Sequence, residues 1–231
     1  AMVGVAVGSV VPLAVGWRLC PASPSTASSG RPMLAELWRN GHTLLAFFAF
    51  ANLDILLARH LFSHHQAGIY AGGAILTKAC LFLPTFVLVV AFPSMAADRG
   101  GRPWLRPLLL VLALGGCAVL GSLLLPGLAE SFAGGSEYVG LGHVAWVFAL
   151  EGTLFAALQI LVYDTIAGQT HAATLLWAGV IGVAVVATLV AHSVAGLAGI
   201  AAVAALAVAL AVPLLPRLRS IPGREPRCVA Q

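Results

Sequence analysis

The stretch NLDILLARHLFSHHQAGIYAGGAILTKACLFLP, residues 52–84, contains two apolar runs separated by the polar break Ser63-His64-His65-Gln66. Continued into the flanking sequence, each run reaches the roughly 20 apolar residues that a helix needs to cross a bilayer core of about 30 Å. The stretch therefore reads as a transmembrane hairpin. Yet it carries Asp54, Arg59 and Lys78 inside segments that otherwise resemble lipid-facing helix. An ionisable side chain at mid-bilayer costs at least about 2.5–3.5 kcal/mol, so such residues face protein or water and usually serve a function.

Outward from this hairpin, the whole chain follows the same pattern. Its 231 residues are 60% hydrophobic and only 9% charged, with a mean hydropathy of +0.99. Soluble domains carry about 25% charged residues, so the composition is that of an all-α integral membrane protein. The length ruler gives about seven spans, near residues 1–17, 41–62, 68–96, 105–126, 140–166, 174–195 and 197–216. The polar stretch 18–40, RLCPASPSTASSGRPMLAELWRN, is rich in Pro, Ser and Gly and reads as a connector ending in a short amphipathic entry. The short link HSVAGLAGI leaves two options for the last spans: separate helices, or one kinked re-entrant hairpin.

Basic residues fix the expected orientation. Of 12 Lys and Arg, ten fall in alternate segments: Arg18, Arg31 and Arg39; Arg99, Arg102 and Arg106; and Arg217, Arg219, Arg224 and Arg227 in the tail 217–231. The intervening loops carry none. By the positive-inside rule, the Arg-bearing segments are cytoplasmic, which predicts a multi-pass membrane protein with its C-terminus in the cytoplasm. The basic tail PRLRSIPGREPR is accounted for by this bias and by anionic membrane lipids, with no nucleic-acid partner implied.

Helix rise places three charges at one level. At about 1.5 Å per residue, Asp54 lies about 12 Å inside the outer end of its span, Lys78 about 15 Å inside its own, and Glu151 at a comparable depth in the fifth. Arg59 sits nearer the outer surface, where its long stem can snorkel, and Asp164 lies near the cytoplasmic end of its span. Two readings are open. In one, Asp54 and Lys78 form a buried ion pair that fixes adjacent helices. In the other, Asp54, Lys78, Glu151, Arg59 and Asn52 line a polar cavity that meets a charged substrate or coupling ion, supported by Thr77, Thr153 and Gln159 on the same helices.

Other residues point to no further chemistry. His60, His64 and His65 cluster at an outer loop without a nearby carboxylate, so no metal site is expected there. His42, His143 and His171 read as interfacial, and His192 as a packing histidine. Cys20, Cys80, Cys117 and Cys228 lack CxxC spacing, which argues against a disulfide framework or zinc site. Pro84 and Pro93 predict a kinked third span. Glycines spaced by four, Gly4 with Gly8 and Gly68 with Gly72, predict close helix contacts, and the Ala-rich run 195–216 a tightly packed peripheral helix. No nucleotide-binding, zinc-protease or serine-hydrolase motif occurs. The chain is not expected to be an enzyme or to need a cofactor. The N-terminus has no basic region ahead of its apolar stretch, and it begins within hydrophobic sequence and without Met, which reads as a piece of a longer chain.

One resemblance sharpens these expectations. From Asn52 to Ala96 the sequence resembles the first two helices of the C-terminal lobe in polysaccharide-exporting (O-antigen-type) flippases of the multidrug/oligosaccharidyl-lipid/polysaccharide (MOP) superfamily. The matching features are Asn52 with Asp54, a short outer loop, Gly68 with Tyr70, Lys78 with Pro84, and Phe92 with Pro93 before a basic loop. The resemblance implies that residues 1–17 are the last helix of an N-terminal lobe, 18–40 the cytoplasmic inter-lobe linker, and 41–216 a six-helix C-terminal lobe. It implies the plasma (inner) membrane as location, a lipid-diphosphate-linked oligosaccharide as cargo, a coupling cation or proton, and a missing N-terminal lobe as partner. Three alternatives stay open: a cation-coupled multidrug-type exporter, a non-transporting membrane subunit, and an intramembrane transferase acting on lipid-linked sugars.

Overall fold

A computed structural model describes residues 31–97, 104–133, 140–167 and 173–214. The helical bundle belongs to a compact unit that begins at Trp38. The elements are α1 (Arg31–Leu61), α2 (His64–Ala97), α3 (Leu105–Leu124), the short α4 (Pro126–Ala133), α5 (Ala145–Ala167), α6 (Ala173–Val190) and α7 (Val194–Ala211), with a 3-10 turn at Val212–Leu214. Among the described residues every regular element is helical.

Among the described residues, five helices are long and apolar enough to cross a membrane: Leu37–Leu61, Leu105–Leu124, Ala145–Ile166, Ala173–Val190 and Val194–Ala211. That count differs from the expected seven or so at two of the expected spans, 1–17 and 68–96. The segment 68–96 falls on α2, a continuous helix of 34 residues that is not among the five. Residues 1–17, most of the linker 18–40 and the tail 217–231 lie outside the described residues. The helix of the second span begins at Arg31 rather than at residue 41, because the amphipathic entry continues into it without a break. The backbone of α2 stays helical through Pro84 and Pro93. The last two spans are separate helices, since Ser193 adopts an extended conformation and its Oγ accepts the Gly196 amide at 3.1 Å, capping α7.

Helix α5 is the hub. It packs against α2, α3 and α7, and 78% of its apolar window is buried, against 17% for α3 and for α6. Lipid tails are as apolar as leucine, so helix association in a bilayer depends on close packing and interhelical hydrogen bonds. Glycines supply that closeness. A Cβ at Gly152 on α5 would overlap the Thr77 backbone of α2, one at Gly73 the ring of Phe148, and one at Gly115 of α3 the side chain of Thr153. The expectation for Gly68 is corrected, because an added Cβ there meets nothing within 4 Å; close approach is displaced to Gly73, which faces α5. Gly4 and Gly8 lie outside the described residues. On α7, Ala198, Ala201, Ala202, Ala205 and Ala209 are buried, as the Ala-rich run predicts.

These contacts set helix directions. Tyr70 and Thr77 of α2 meet Phe148 and Glu151 of α5 in the same order, so α2 and α5 run parallel. Helix α1 runs opposite to α5, as Phe50 lies before Asp54 but packs on Phe155, beyond Glu151. At the Ala145 end of α5, Glu130 Oε1 accepts the amides of Gly140 and Gly142, both at 3.2 Å. Gly140 has φ +100°, a left-handed conformation that glycine adopts without a steric penalty. At the opposite end, Trp177 Nε1 donates to His42 Nε2 at 3.0 Å and ties α6 to α1.

Candidate functional site

The polar layer forms where α1, α2 and α5 meet. Helix α1 turns Asp54 and Ala51 toward α2, since residues three apart share a helix face. Asp54 is buried at 2% exposure, and its Oδ2 accepts the Tyr70 hydroxyl at 2.9 Å. Its Oδ1 is buried with no donor. From α5, Glu151 is fully buried. Its Oε2 lies 3.2 Å from Thr77 Oγ1, while Oε1 likewise has no donor.

Thr77 makes this arrangement chemically specific. Its hydroxyl lies 3.1 Å from the Phe148 carbonyl oxygen and 3.2 Å from Glu151 Oε2, but a hydroxyl has one proton to give. Two acceptors therefore compete for it. If Thr77 donates to Phe148, the contact with Glu151 is a hydrogen bond only when Glu151 carries a proton and donates it to Oγ1.

Lys78 does not close the Asp54 ion pair of the first of the two readings. Its Nζ donates to the backbone carbonyl of Ala51 on α1, and among the described residues no carboxylate reaches an ammonium or guanidinium within 4.0 Å. The charges of Asp54, Lys78 and Glu151 still act on one another through space. With all three ionised the layer carries one net negative charge, and a single proton or monovalent cation makes it neutral. A net charge held away from water is costly unless compensated.

Of the residues singled out by sequence, Asp54, Lys78, Glu151 and Thr77 come together. Asn52 and Arg59 do not join them. Asn52 is exposed and folds its amide back onto the Phe48 carbonyl at 2.7 Å; Arg59 is exposed toward the Leu61 end of α1. Thr153 is buried but donates within its own helix to Ala149 at 2.7 Å. Gln159 is half-buried on α5 with Oε1 lacking a donor, and Asp164 is half-buried near the end of the same helix. His60, His64, His65, His143 and His192 are exposed, and no group of three or more potential metal ligands occurs among the described residues.

Two participants escape the sequence reading. Tyr70 enters there only through its motif, although a phenol inside an apolar run signals a hydroxyl in need of a partner. Gly152 gives no signal beyond its position beside Glu151.

Comparisons with protein-family models, curated proteins and solved structures find no match for this chain. Its functional reading therefore rests on its own residues and their geometry.

Proposed function

We propose that the chain is the C-terminal portion of a flippase-type transporter of the plasma (inner) membrane that moves a lipid-diphosphate-linked oligosaccharide. In this reading Asp54 and Glu151 seat the coupling proton or cation. Lys78, with Arg59 nearer the mouth, faces the anionic cargo. The observation that carries it is the pair of buried carboxylates on different helices, each keeping one oxygen without a donor. A buried acceptor left unsatisfied costs about 1–3 kcal/mol. A layer that only held helices together would gain from donors on both oxygens. A layer that takes up and releases a small cation keeps those oxygens available. The cargo class is what the resemblance of Asn52–Ala96 to polysaccharide-exporting flippases implies.

Replacing Lys78 with Ala in the cells that make the protein tests this reading. Export of lipid-linked glycan is expected to be lost while membrane insertion persists, as scored by surface glycan and by the protein content of washed membranes. Unchanged export overturns the cargo role.

The donorless oxygens also favour a second reading, a cation-coupled exporter of small hydrophobic compounds. Lys78 counts against it, because an ammonium beside the carboxylates repels cationic cargo. Glu151→Gln separates the two. Lost dye efflux with normal glycan export selects the exporter; lost glycan export with normal efflux selects the flippase.

A further inference from the structure

The carboxylate layer is bracketed by two aromatic pairs. On the Ala145 side of α5, Tyr70 and Phe148 pack edge-to-face with centroids 5.1 Å apart and planes at 76°. On the Ala167 side, Phe50 and Phe155 pack in the same manner at 5.2 Å and 81°. Phe148 precedes Glu151 by about one turn and Phe155 follows it by about one turn, while Phe50 lies about one turn from Asp54. All four rings are buried, with at most 1% exposure. The layer is thus capped at both ends.

The two caps are not equivalent. Phe50 and Phe155 belong to the main apolar cluster, together with Leu158, Leu161, Leu176 and Val183. Opening that side breaks into the largest block of packed side chains in the bundle. Tyr70 and Phe148 belong to a smaller cluster nearer the loop that precedes α5. There the Phe148 ring sits against Gly73, where a Cβ would displace it. The Tyr70 hydroxyl, donating to Asp54 at 2.9 Å, is the polar tie between this cap and the layer.

We propose that Tyr70 is the gate of the carboxylate layer: its ring closes the Ala145-side entrance with Phe148, and its hydroxyl latches that cap to Asp54. This deepens, and rests on, the reading of the layer as a cation or proton seat. Hydrogen bonds to an ionised acceptor are roughly twice as strong as neutral ones. An ionised Asp54 therefore holds the latch shut, and a proton or cation taken up by Asp54 weakens it. The groups that face Asp54 from the neighbouring helices are Tyr70 and Lys78 of α2 and Glu151 of α5. Tyr70 acts through Asp54, as a positioning residue.

The experiment is labelling of Asp54 and Glu151 by a water-soluble carbodiimide, with the purified full chain in detergent and peptide mass mapping. In the parent protein both carboxyls react slowly. Tyr70→Phe keeps the ring and removes the latch, and labelling of Asp54 is expected to rise about tenfold, equivalent to about 1.4 kcal/mol. Phe148→Leu is expected to raise labelling of both carboxyls, and it carries the test if Tyr70→Phe does not fold. Phe155→Leu, set in the larger cluster, is expected to change neither. Parent-like labelling in the folded Tyr70→Phe protein overturns the latch, as does a larger increase in Phe155→Leu. Because labelling reads access rather than transport, an effect of Tyr70→Phe alongside unaltered export in Lys78→Ala would remove the flippase reading and leave the gate standing.

Discussion

Helices α5 and α6 are both apolar, both long enough to span, and differ in almost everything else. Most of α5 is enclosed by its neighbours, whereas α6 turns most of its surface outward, including Ile181, Val185, Leu189 and Val190. Glu151 and Gln159 sit on the enclosed helix; α6 carries no charged residue at all. Hydropathy alone therefore does not separate a helix that meets lipid from one that meets protein. The separation comes from small residues at contact points and from where polar side chains are tolerated. Glu151 is accommodated on α5 because α2 brings Thr77 to its carboxylate and Gly73 lets the Phe148 turn of α5 approach closely.

The strongest way to break this contrast is to exchange charges within the layer. The double variant Asp54→Lys with Lys78→Asp preserves any simple ion pair but places an ammonium where the Tyr70 hydroxyl needs an acceptor. A loss of about 3–5 kcal/mol is expected, in the range for an uncompensated buried charge, with no recovery over the single variants in thermal unfolding in detergent. Full recovery would show that the pair merely bridges helices. Next in size is Gly152→Ala, whose methyl group meets the Thr77 backbone rather than a flexible side-chain end. Overpacking typically costs about 1–3 kcal/mol, and a loss of about 3 kcal/mol is expected by the same measurement, because the backbone of α2 has no rotamer to change. At the other extreme, Leu189→Ala on α6 is expected to change stability by less than about 0.5 kcal/mol, since that side chain is 71% exposed in the isolated fold. A large loss there would mean that another protein surface covers α6.

The unequal expectations for these sites track what is readable in the sequence. The shared depth of Asp54, Lys78 and Glu151 comes from rise per residue, a fixed property of any helix, and the fold brings the three together. Facing direction is equally calculable for Asn52 and Arg59. A residue two places from Asp54 lies about 200° around the helix and one five places away about 140°, so neither shares its face. Depth taken without rotation groups both with the layer, and rotation removes them. Tyr70 and Gly152 are harder to find. The Tyr70 hydroxyl meets a partner on another helix, and Gly152 matters through the Thr77 backbone opposite it; both depend on how α2 lies against its neighbours, which local pattern does not encode. The Ala51 carbonyl that receives Lys78 is a backbone group and leaves no mark in the sequence. The start of α1 at Arg31 is obscured because polar residues in 31–40 obey no bilayer ruler, although Arg31, Glu36 and Arg39 are sound helix formers.

Glu130 has a consequence that reaches beyond its own loop. By drawing the amides of Gly140 and Gly142 onto one oxygen, it pins the chain just before α5 to the short helix α4, which itself rests on α2 and α3. Like the peg that sets a sliding ruler, this contact adds a stop at the rim to the register that the Gly73 and Gly152 contacts set within the bundle. A slip of one residue would carry Glu151 about 1.5 Å along the axis and rotate it by about 100°, away from Thr77. The alignment of buried groups deep in the bundle is therefore braced at its rim as well, by a carboxylate that never enters it.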